Sequence, residues 1–347
     1  MKLELNFLGG VAHEDNLTGS AILLTVRNGK YCKRILIDIG MWQGNFQECF
    51  RMNSRISLKP EEIDAVVLTH SHIDHVGRLP YLVKNGFNGD VYTTEPTAAI
   101  LPIMLSDTAK ILESEAKYRR CKERRKIVEM ERRSGNKNDR CVAKRKLAAC
   151  DNDEDEVMTD SLAGNGKRIK DRRIRKSLRS SLEPLFGSGD VKQAVSLVKE
   201  SGFKYHRWIK ISRNIYLKFY PSGHVLGGAI CVIRIYKNNS LKDPVYLGFS
   251  GDLGRRDGII LPPPEAVVEP LDYWFIESTY GGSEHPEREV EIMAMLDLVR
   301  KANATRGKIL LPSFAFERAQ EIIYLLSYYM SKGEVPATPI YLDSPLA

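Results

Sequence analysis

Three of the seven histidines in the chain lie within the six residues His70-Ser71-His72-Ile73-Asp74-His75. Imidazole nitrogens and carboxylate oxygens are ligands that zinc, manganese and iron accept in proteins. Four such side chains are too many for one tetrahedral ion, so the spacing favours two ions with two ligands each. The alternative, a polar helix start capped by Asp74, leaves the concentration of histidines unexplained. We therefore predict a binuclear metal site of the type found in metal-dependent hydrolases.

Two further candidate ligands follow strand-like apolar runs. His224 ends the segment Pro221-Ser222-Gly223-His224, and Asp252 ends the segment Phe249-Ser250-Gly251-Asp252. The glycine before each of them lets the backbone come close to a metal ion. Because a carboxylate has two oxygens, Asp252 suits a position between two ions. Taken alone, each residue is explained equally well as an ordinary turn residue.

The predicted elements bring these side chains to the ends of strands. Residues 63–68 form a nearly continuous apolar run, typical of a strand buried on both faces, and the histidine-rich segment follows directly. A loop held by such a strand can turn alternate side chains toward one point. The other elements predicted in this half are strands at residues 3–8, 20–26, 34–38 and 90–94, a helix from residue 75, and a helix over residues 95–118.

The pattern of elements changes near residue 286. Before it, a helix is predicted over residues 188–200, and strands are predicted at 215–219, 229–236, 245–250 and 273–277. Beyond it, helices at 287–302 and 316–331 alternate with strands at 308–311 and 339–342. This alternation is typical of a parallel α/β unit.

The formal net charge of +8 is concentrated in one region. Residues 117–181 contain 22 Lys and Arg against 11 Asp and Glu, so the rest of the chain is mildly acidic. Because this stretch lacks apolar periodicity, we predict a charged insertion over about residues 119–181, helical near its start and mobile in its middle. A polyanionic partner and a merely solvated insertion explain the charge equally well.

Composition excludes several classes of protein. The six cysteines are scattered without a C-x-x-C pair, which argues against a disulfide framework or a zinc ribbon. No apolar run is long enough to span a bilayer, and the N-terminus lacks the basic and apolar stretches of a signal peptide. We therefore predict a soluble, cytoplasmic protein without membrane contact.

The ligand-rich segment, with Val76 and Gly77 after it, resembles the H-x-H-x-D-H-x-G signature of the metallo-β-lactamase superfamily. The resemblance implies an α/β fold, the αββα sandwich, with metal ions at the strand ends. It also implies that Asp38, in Ile35-Leu36-Ile37-Asp38, is the buried aspartate behind the ligand loop. Thioesterases, sulfatases and nucleases share the signature, so it does not fix a reaction. The implied ligands are His70, His72, His224 and Asp252 for one ion, and Asp74, His75 and Asp252 for the other.

Three later segments resemble the β-CASP branch, whose members act on nucleic acids. They are Glu277-Ser278-Thr279-Tyr280-Gly281 with His285 after it, the stretch 312–321, and the stretch 342–347. The sequence of the first segment is more similar to that of the RNA-processing members of the cleavage-and-polyadenylation type than to that of the DNA-repair members. The resemblance covers nearly all of the chain except about residues 119–181. It implies a metallo-β-lactamase domain at residues 1–285 and the beginning of an inserted β-CASP α/β domain at 286–347.

Phosphodiester hydrolysis needs a strong nucleophile and neutralisation of phosphate charge, and a hydroxide bridging two metal ions supplies both. The predicted function is therefore a ribonuclease, endonucleolytic, 5′–3′ exonucleolytic or both. In the predicted catalytic set, Asp38 orients the ligand loop, Asp74 holds metal, and Glu277 is an acid/base partner. The predicted substrate contacts are His285, Ser313, Arg318 and Ser344. For the last three, a helix cap, a solvated helix face and a turn, respectively, are equally good explanations.

Two departures from the β-CASP pattern affect this prediction. Glu317 stands where the family usually has Gly, and a carboxylate there repels phosphate unless it points away. The chain also stops at Ala347, before the two later histidines of the family. We therefore expect the second of the two divalent-ion sites, with zinc as the default metal and Mn or Fe as alternatives, to be incomplete. We expect this chain alone to be poorly active, and aggregation-prone or partnered by a complementary chain or by another copy of itself.

Three other functions stay open at this point. A truncated homologue could act as a binding or scaffold protein, and the reading frame beyond Ala347 separates that case from an enzyme. A nuclease directed at DNA instead of RNA uses the same ligands. A hydrolase of small esters or thioesters would turn over a thioester but not RNA.

Overall fold

The computed structural model describes residues 1–10, 18–133, 183–237, 242–344 and 346. Two five-stranded sheets pack face to face, and helices cover the outer face of the first sheet. These layers confirm the predicted α/β class and its stacked sheets. Within the described ranges, no helix is both long enough and apolar enough to cross a bilayer.

The first sheet keeps its strands in chain order. Its strands are β1 (Lys2–Gly9), β2 (Ala21–Asn28), β3 (Tyr31–Ile37), β4 (Ala65–Val67) and β5 (Asp90–Tyr92). Only residues 29 and 30 separate β2 from β3, and so short a loop makes the two strands antiparallel. A longer segment with a helix leads from β3 to β4, so β3, β4 and β5 run parallel. The parallel strands therefore end at one edge of the sheet.

The second sheet also follows chain order. Its strands are β6 (Ile209–Ser212), β7 (Ile215–Pro221), β8 (Ala229–Tyr236), β9 (Pro244–Phe249) and β10 (Tyr273–Phe275). Strands β6 to β9 are antiparallel, and β10 pairs parallel to β9. Ala229 is the first residue of β8, and its N–H donates a hydrogen bond to the carbonyl of Thr69, just after β4. Because β7 and β9 are antiparallel to β8, they end at the same edge of the sandwich as β4.

The helices described in the first part of the chain are α1 (Phe46–Asn53), α2 (Ile73–Val76), α3 (Leu79–Lys84), α4 (Glu95–Arg133) and α5 (Ser188–Ser196). Two more helices follow the sandwich, α6 (Arg288–Ala304) and α7 (Arg318–Ser331). They share a small core of their own, built on Leu296, Val299, Leu326 and Val335.

Alternation along the strands supplies two hydrophobic layers, because successive side chains of a strand point to opposite faces. One layer lies between the sheets and contains Leu24, Ile35, Val67, Leu217, Phe219 and Ile233. The other lies between the first sheet and the helices and contains Leu23, Leu36, Val66, Leu79, Leu82, Leu101 and Leu105. The outer face of the second sheet packs against segment 253–271 through Leu253, Val267 and Leu271. A helical layer on that face is not present in the described ranges.

Several predicted elements differ from the structure. Residues 308–311 and 339–342 are not strands, and Leu310 and Tyr341 are each 89% exposed. The predictions there were wrong because an apolar run forms a strand only beside a hydrogen-bonded neighbour. Helix α4 extends to Arg133 instead of 118, which confirms that the insertion is helical near its start, and α5 ends at Ser196. The insertion was predicted over about residues 119–181, and its predicted mobile middle falls within residues 134–182, which lie outside the described residues.

Replacing Phe219 by Ala tests the layer between the sheets. Phe219 is fully buried there, so we expect the free energy of unfolding to fall by about 3–5 kcal/mol in urea denaturation. Phe314→Ala is the matched control, since this phenylalanine is 80% exposed and the expected change is within about 0.5 kcal/mol. Equal losses in the two variants would contradict the described packing.

Candidate metal centre

The ligand loop leaves β4 and enters α2, and two neighbouring backbone segments, one at Ser20 and the other at residues 39–41, hold it in place. Three hydrogen bonds join these segments to the loop, from the N–H groups of Ser20, Ile39 and Met41 to the carbonyls of Asp74, His75 and Ile73, at 2.8, 2.8 and 2.9 Å. A Cβ atom on Gly40 would lie 1.5 Å from the Asp74 carbonyl oxygen. Glycine is therefore required at position 40 for the loop to lie so close to segment 39–41.

Four side chains converge on a first candidate ion site. Nδ1 of His72 lies 3.1 Å from Nε2 of His70 and 3.2 Å from Nε2 of His224. Oδ2 of Asp252 lies 3.5 Å from Nε2 of His224 and 3.9 Å from Nε2 of His70. Zinc bonds of 2.0–2.1 Å in a tetrahedron place ligand atoms about 3.3 Å apart. The set therefore has the right atoms at the right separation for one ion.

A second candidate site adjoins the first through Asp252. Oδ1 of Asp252 lies 3.1 Å from Nε2 of His75, and that nitrogen lies 3.9 Å from Oδ2 of Asp74. The two oxygens of Asp252 thus face different ligand sets. The structure brings together all six of the predicted metal ligands, His70, His72, Asp74, His75, His224 and Asp252.

Asp38 lies behind the ligands and contacts the loop from below. It is buried, and its carboxylate accepts hydrogen bonds from the backbone N–H of Thr69 at 2.8 Å and from the Thr69 hydroxyl at 2.9 Å. Its Oδ2 also lies 2.7 Å from Nδ1 of His75. With Nδ1 occupied by Asp38, Nε2 of His75 is the nitrogen that faces the second site. The Thr69 hydroxyl is also 3.0 Å from Nδ1 of His70.

Electrostatics distinguishes the first site from the second. Burial, together with the neighbouring histidines, lowers the pKa of His70 well below its usual value and that of His72 to about 4. Burial also lowers the pKa of His224. Burial opposes the charged form of His75 too, but Asp38 and Asp252 outweigh it and raise the pKa of His75 well above its usual value. Neutral imidazoles with converging lone pairs beside a carboxylate fit a divalent cation, so the residues of the first site suit a metal ion.

Comparisons with known proteins agree with this geometry. Residues 18–139 match the family model described as the metallo-beta-lactamase superfamily. The chain is 31% identical over 339 residues to Ribonuclease TTHA0252 of Thermus thermophilus, covering 97% of this chain and 58% of the relative. The chain contains a domain of the metallo-β-lactamase superfamily. The family prediction made from residues 70–77 is confirmed.

Two other relatives have names from RNA metabolism. One is Transcription termination factor FttA of Cenarchaeum symbiosum, 25% identical over 350 residues, which cover 100% of this chain and 42% of the relative. The other is Cleavage and polyadenylation specificity factor subunit 3-I of Arabidopsis thaliana, 26% identical over 294 residues, 84% of this chain and 31% of the relative. The chain spans 58% or less of the length of these three relatives. Their names support the prediction of the β-CASP, RNA-processing branch of the superfamily.

Glu277 contacts the loop that carries the candidate ligand Asp252. Its carboxylate accepts hydrogen bonds from the N–H of Leu253 at 3.1 Å and of Thr279 at 3.0 Å, and its own N–H donates to Oγ of Ser250 at 2.9 Å. Leu253 is the residue after Asp252. In this arrangement Glu277 positions the Asp252 loop, a role that its residue type did not reveal.

The predicted substrate contacts lie in the segments that resemble β-CASP motifs. The ring of His285 packs against that of Tyr280, with centroids 4.4 Å apart. Nη1 of Arg318 donates to Glu321 at 2.6 Å, and Oγ of Ser344 accepts from the N–H of Leu346 at 3.2 Å. Ser313 is exposed. None of these contacts joins a metal ligand.

Two residues at the centre were missed by the sequence analysis. Thr69 orients Asp38, His70 and His75, and its only sequence signal is a hydroxyl at the end of a buried strand. Phe316 packs against the metal-ligand candidate His72, with ring centroids 6.0 Å apart. Local sequence could not show that Phe316 contacts His72, because the two residues are 244 positions apart in the chain.

The two sites should bind metal with different pH dependence. The histidines of the first site are already neutral at pH 7, so binding of the first ion should change little between pH 7 and 8.5. His75 is protonated in the metal-free protein, and a second ion must displace that proton. Its affinity should therefore rise by up to about tenfold per pH unit, up to the raised pKa of His75. Chelator competition with Zn²⁺ at several pH values measures both affinities.

Asp38→Asn is the control for this dependence, because it removes the charge that holds the proton on His75. The pH slope of the second affinity should decrease in this variant. In the metal-free wild-type protein, the ion pair between Asp38 and His75 stabilises the fold below pH about 6.5. This stabilisation is lost as the pH rises through the raised pKa of His75. Identical pH slopes for the two ions would show that the described electrostatics is wrong.

Proposed function

We propose that this chain holds the metal centre of a phosphodiester hydrolase that acts on RNA. The observation that carries the proposal is Asp252, whose two oxygens face two ligand sets. Bound divalent ions would lower the pKa of a water molecule toward 7 and neutralise phosphate charge, which is the chemistry that phosphodiester hydrolysis requires. The names of the relatives, ribonuclease above all, support RNA as the substrate class.

Each residue of the centre has a proposed role. His70, His72, His224 and Asp252 hold the first ion, and zinc is the first choice because nitrogen and carboxylate ligands suit it. Asp74 and His75 hold the second ion together with Asp252. Since the described residues supply only these three protein ligands to it, we propose weaker binding there. Manganese and iron accept the same ligands.

The residues around the ions orient the ligands. Asp38 keeps Nε2 of His75 directed at the second site, and Glu277 keeps Asp252 in place through the N–H of Leu253. An acid/base role for Glu277 stays a prediction. Both oxygens of its carboxylate already accept hydrogen bonds from backbone N–H groups, which is the geometry of a positioning residue.

Three of the predicted substrate contacts, Ser313, Arg318 and Ser344, belong to the predicted β-CASP unit, residues 286–347. The fourth, His285, is the last residue of the predicted metallo-β-lactamase domain, residues 1–285. Arg318 would have to exchange Glu321 for a phosphate to bind one. His285, Ser313 and Ser344 stay candidates for contact with the RNA backbone. Endonucleolytic and 5′–3′ exonucleolytic cleavage are both compatible with this proposal.

The state of the cysteines bears on the compartment of the protein. Among the described residues, Cys32, Cys49, Cys121 and Cys231 are free thiols. Free thiols are typical of a reducing compartment, so a cytoplasmic location stays our prediction. A second copy of the chain or a complementary chain also stays a predicted partner.

A scaffold role is the alternative, and the geometry does not favour it. A protein that only binds a partner has no need for six converging ligands with their orienting aspartate. A DNA-directed nuclease would use the same centre, so the substrate must be tested directly.

Cleavage of matched strands tests the proposal. The purified protein, expressed from its complete reading frame and loaded with Zn²⁺ or Mn²⁺, should cleave a labelled RNA strand faster than the DNA strand of the same sequence. Asp252→Asn should reduce the rate by at least about 100-fold, because both ions lose a ligand. Asp243→Asn, the same chemical change at an exposed residue, should leave the rate unchanged. A metal-loaded protein that cleaves neither strand would favour the scaffold.

The basic second half of α4 should contribute to RNA affinity. Lys117, Lys122 and Arg125 are exposed there. Replacing all three by Gln should reduce the slope of log K against log salt by roughly 2, since each lost contact with a single strand contributes about 0.7. Fluorescence anisotropy across a salt series measures this slope.

A matched triple variant separates RNA contact from general charge. Lys192, Lys204 and Lys210 are also exposed, and their replacement by Gln removes the same charge from other surfaces. This control should keep the wild-type slope. Equal slopes in both triple variants would mean that the basic part of α4 is simply solvated.

A further inference from the structure

A strained backbone turn lies beside the first metal site. Glu317 has φ of 73° and ψ of −60°, and the N–H of Arg318 donates a hydrogen bond to the carbonyl of Phe316 at 3.1 Å. These are the values of the rarer γ-turn, which is strained for any residue with a side chain. Glycine would adopt this conformation freely. The strain therefore persists because the surrounding contacts impose it.

A buried carboxylate in the first turn of α7 holds the strained turn at Glu317 in place. Glu321 is buried, and its carboxylate accepts hydrogen bonds from Nη2 of Arg288 at 2.5 Å and from Nη1 of Arg318 at 2.6 Å. The N–H of Glu321 donates to the carbonyl of Glu317 at 3.0 Å. A carboxylate with two arginine partners has a fixed position, so the first turn of α7 is fixed with it.

The same network reaches the loop that carries a metal ligand. Nη1 of Arg288 donates a hydrogen bond to the carbonyl of Asp257, which lies five residues after Asp252. Arg255 pairs with the carboxylate of Asp257 at 2.9 Å. The turn and the Asp252 loop are thus tied to each other through one arginine.

The residue that the turn presents is Phe316. Its ring stands nearly perpendicular to that of His72, at 81°, with centroids 6.0 Å apart. His72 faces the first site with Nδ1, whereas His70 and His224 use Nε2. A rotation of the His72 ring about its Cβ–Cγ bond would carry Nδ1 away from the other ligands. The other rings described against His72 are those of His70 and His224.

We infer that the strained turn at Glu317 presses Phe316 against His72 and so fixes the imidazole in its ligating orientation. Phe316 is then a positioning residue for the first ion, and Glu317 occupies a strained conformation in order to place it. The inference rests on the proposed metal centre, and it concerns ion affinity instead of the reaction. A mere helix start at α7 would give Phe316 no effect on the ion.

The test measures Co²⁺ binding, which needs no substrate. Affinity is obtained by chelator competition, and the visible spectrum of bound Co²⁺ reports ligand geometry. Phe316→Ala should weaken the first ion about tenfold and alter the spectrum, as expected for loss of a group that orients a ligand. Phe316→Leu, which keeps apolar volume against His72, should recover most of the affinity. Phe314→Ala, at an exposed neighbour, should behave as wild type.

Variants of Glu317 separate the turn from the side chain. Glu317→Gly should keep the Co²⁺ affinity and raise the melting temperature, because glycine adopts a positive φ without strain. Glu317→Val should lower the affinity, since a β-branched residue does not tolerate this conformation and Phe316 would shift. Loss of affinity in Glu317→Gly as great as in Phe316→Ala would overturn the role assigned to the turn.

Unchanged Co²⁺ affinity and spectrum in Phe316→Ala would overturn the role assigned to Phe316. Circular dichroism verifies that each variant is folded, and Phe316→Leu keeps the test decisive if Phe316→Ala unfolds. Failure of the proposed function gives a different result. In that case the wild-type protein binds Co²⁺ and responds to Phe316→Ala, but it cleaves no RNA.

Discussion

The carboxylate of Asp38 accepts three hydrogen bonds at the edge of the sandwich that carries the candidate ligands. The metal centre depends on these three bonds. Two of these bonds fix Thr69, the last residue before the ligands, and the third fixes His75 at the other end of the loop. The loop is therefore held at both ends by one buried charge. Because Asp38 follows β3 and Thr69 follows β4, the parallel pairing of these strands sets the distance between them.

The same edge collects ligands that are far apart in the chain. His224 and Asp252 follow β7 and β9 of the second sheet, and the hydrogen bond between Ala229 and Thr69 joins that sheet to the first. Packing between the sheets thus controls the separation of ligands that no local contact could hold together. Burial of the imidazoles keeps three of them neutral, whereas His75, beside two carboxylates, retains its proton.

Local patterns were sufficient to predict the candidate ligands, their loop and the superfamily, because metal ligation demands particular residue types at short spacing. Apolar runs predicted individual strands, whereas the stacking of two sheets was implied by the resemblance to the superfamily. Strands at 308–311 and 339–342 were not predictable in this way, since an apolar run does not show whether a partner strand exists. Likewise, the pairing of Arg318 with Glu321 and the contact of Phe316 with His72 depend on how helices lie in space. Glu317 was noticed as a departure from glycine, but its positive φ is visible only in the structure.

Helix α4 has a consequence for the length of RNA that the proposed nuclease would distinguish. It begins at Glu95, just after β5 ends at the metal edge, and its 39 residues measure about 58 Å, roughly twice the longest strand. Within α4, no described side chain beyond Ala116 is buried, so the basic half extends past the sandwich on the side away from the ions. Under the proposed function, nucleotides bound there would lie far from a phosphate at the metal centre. Short oligonucleotides would reach only one of the two regions, and discrimination by length would then arise from the dimensions of a single helix.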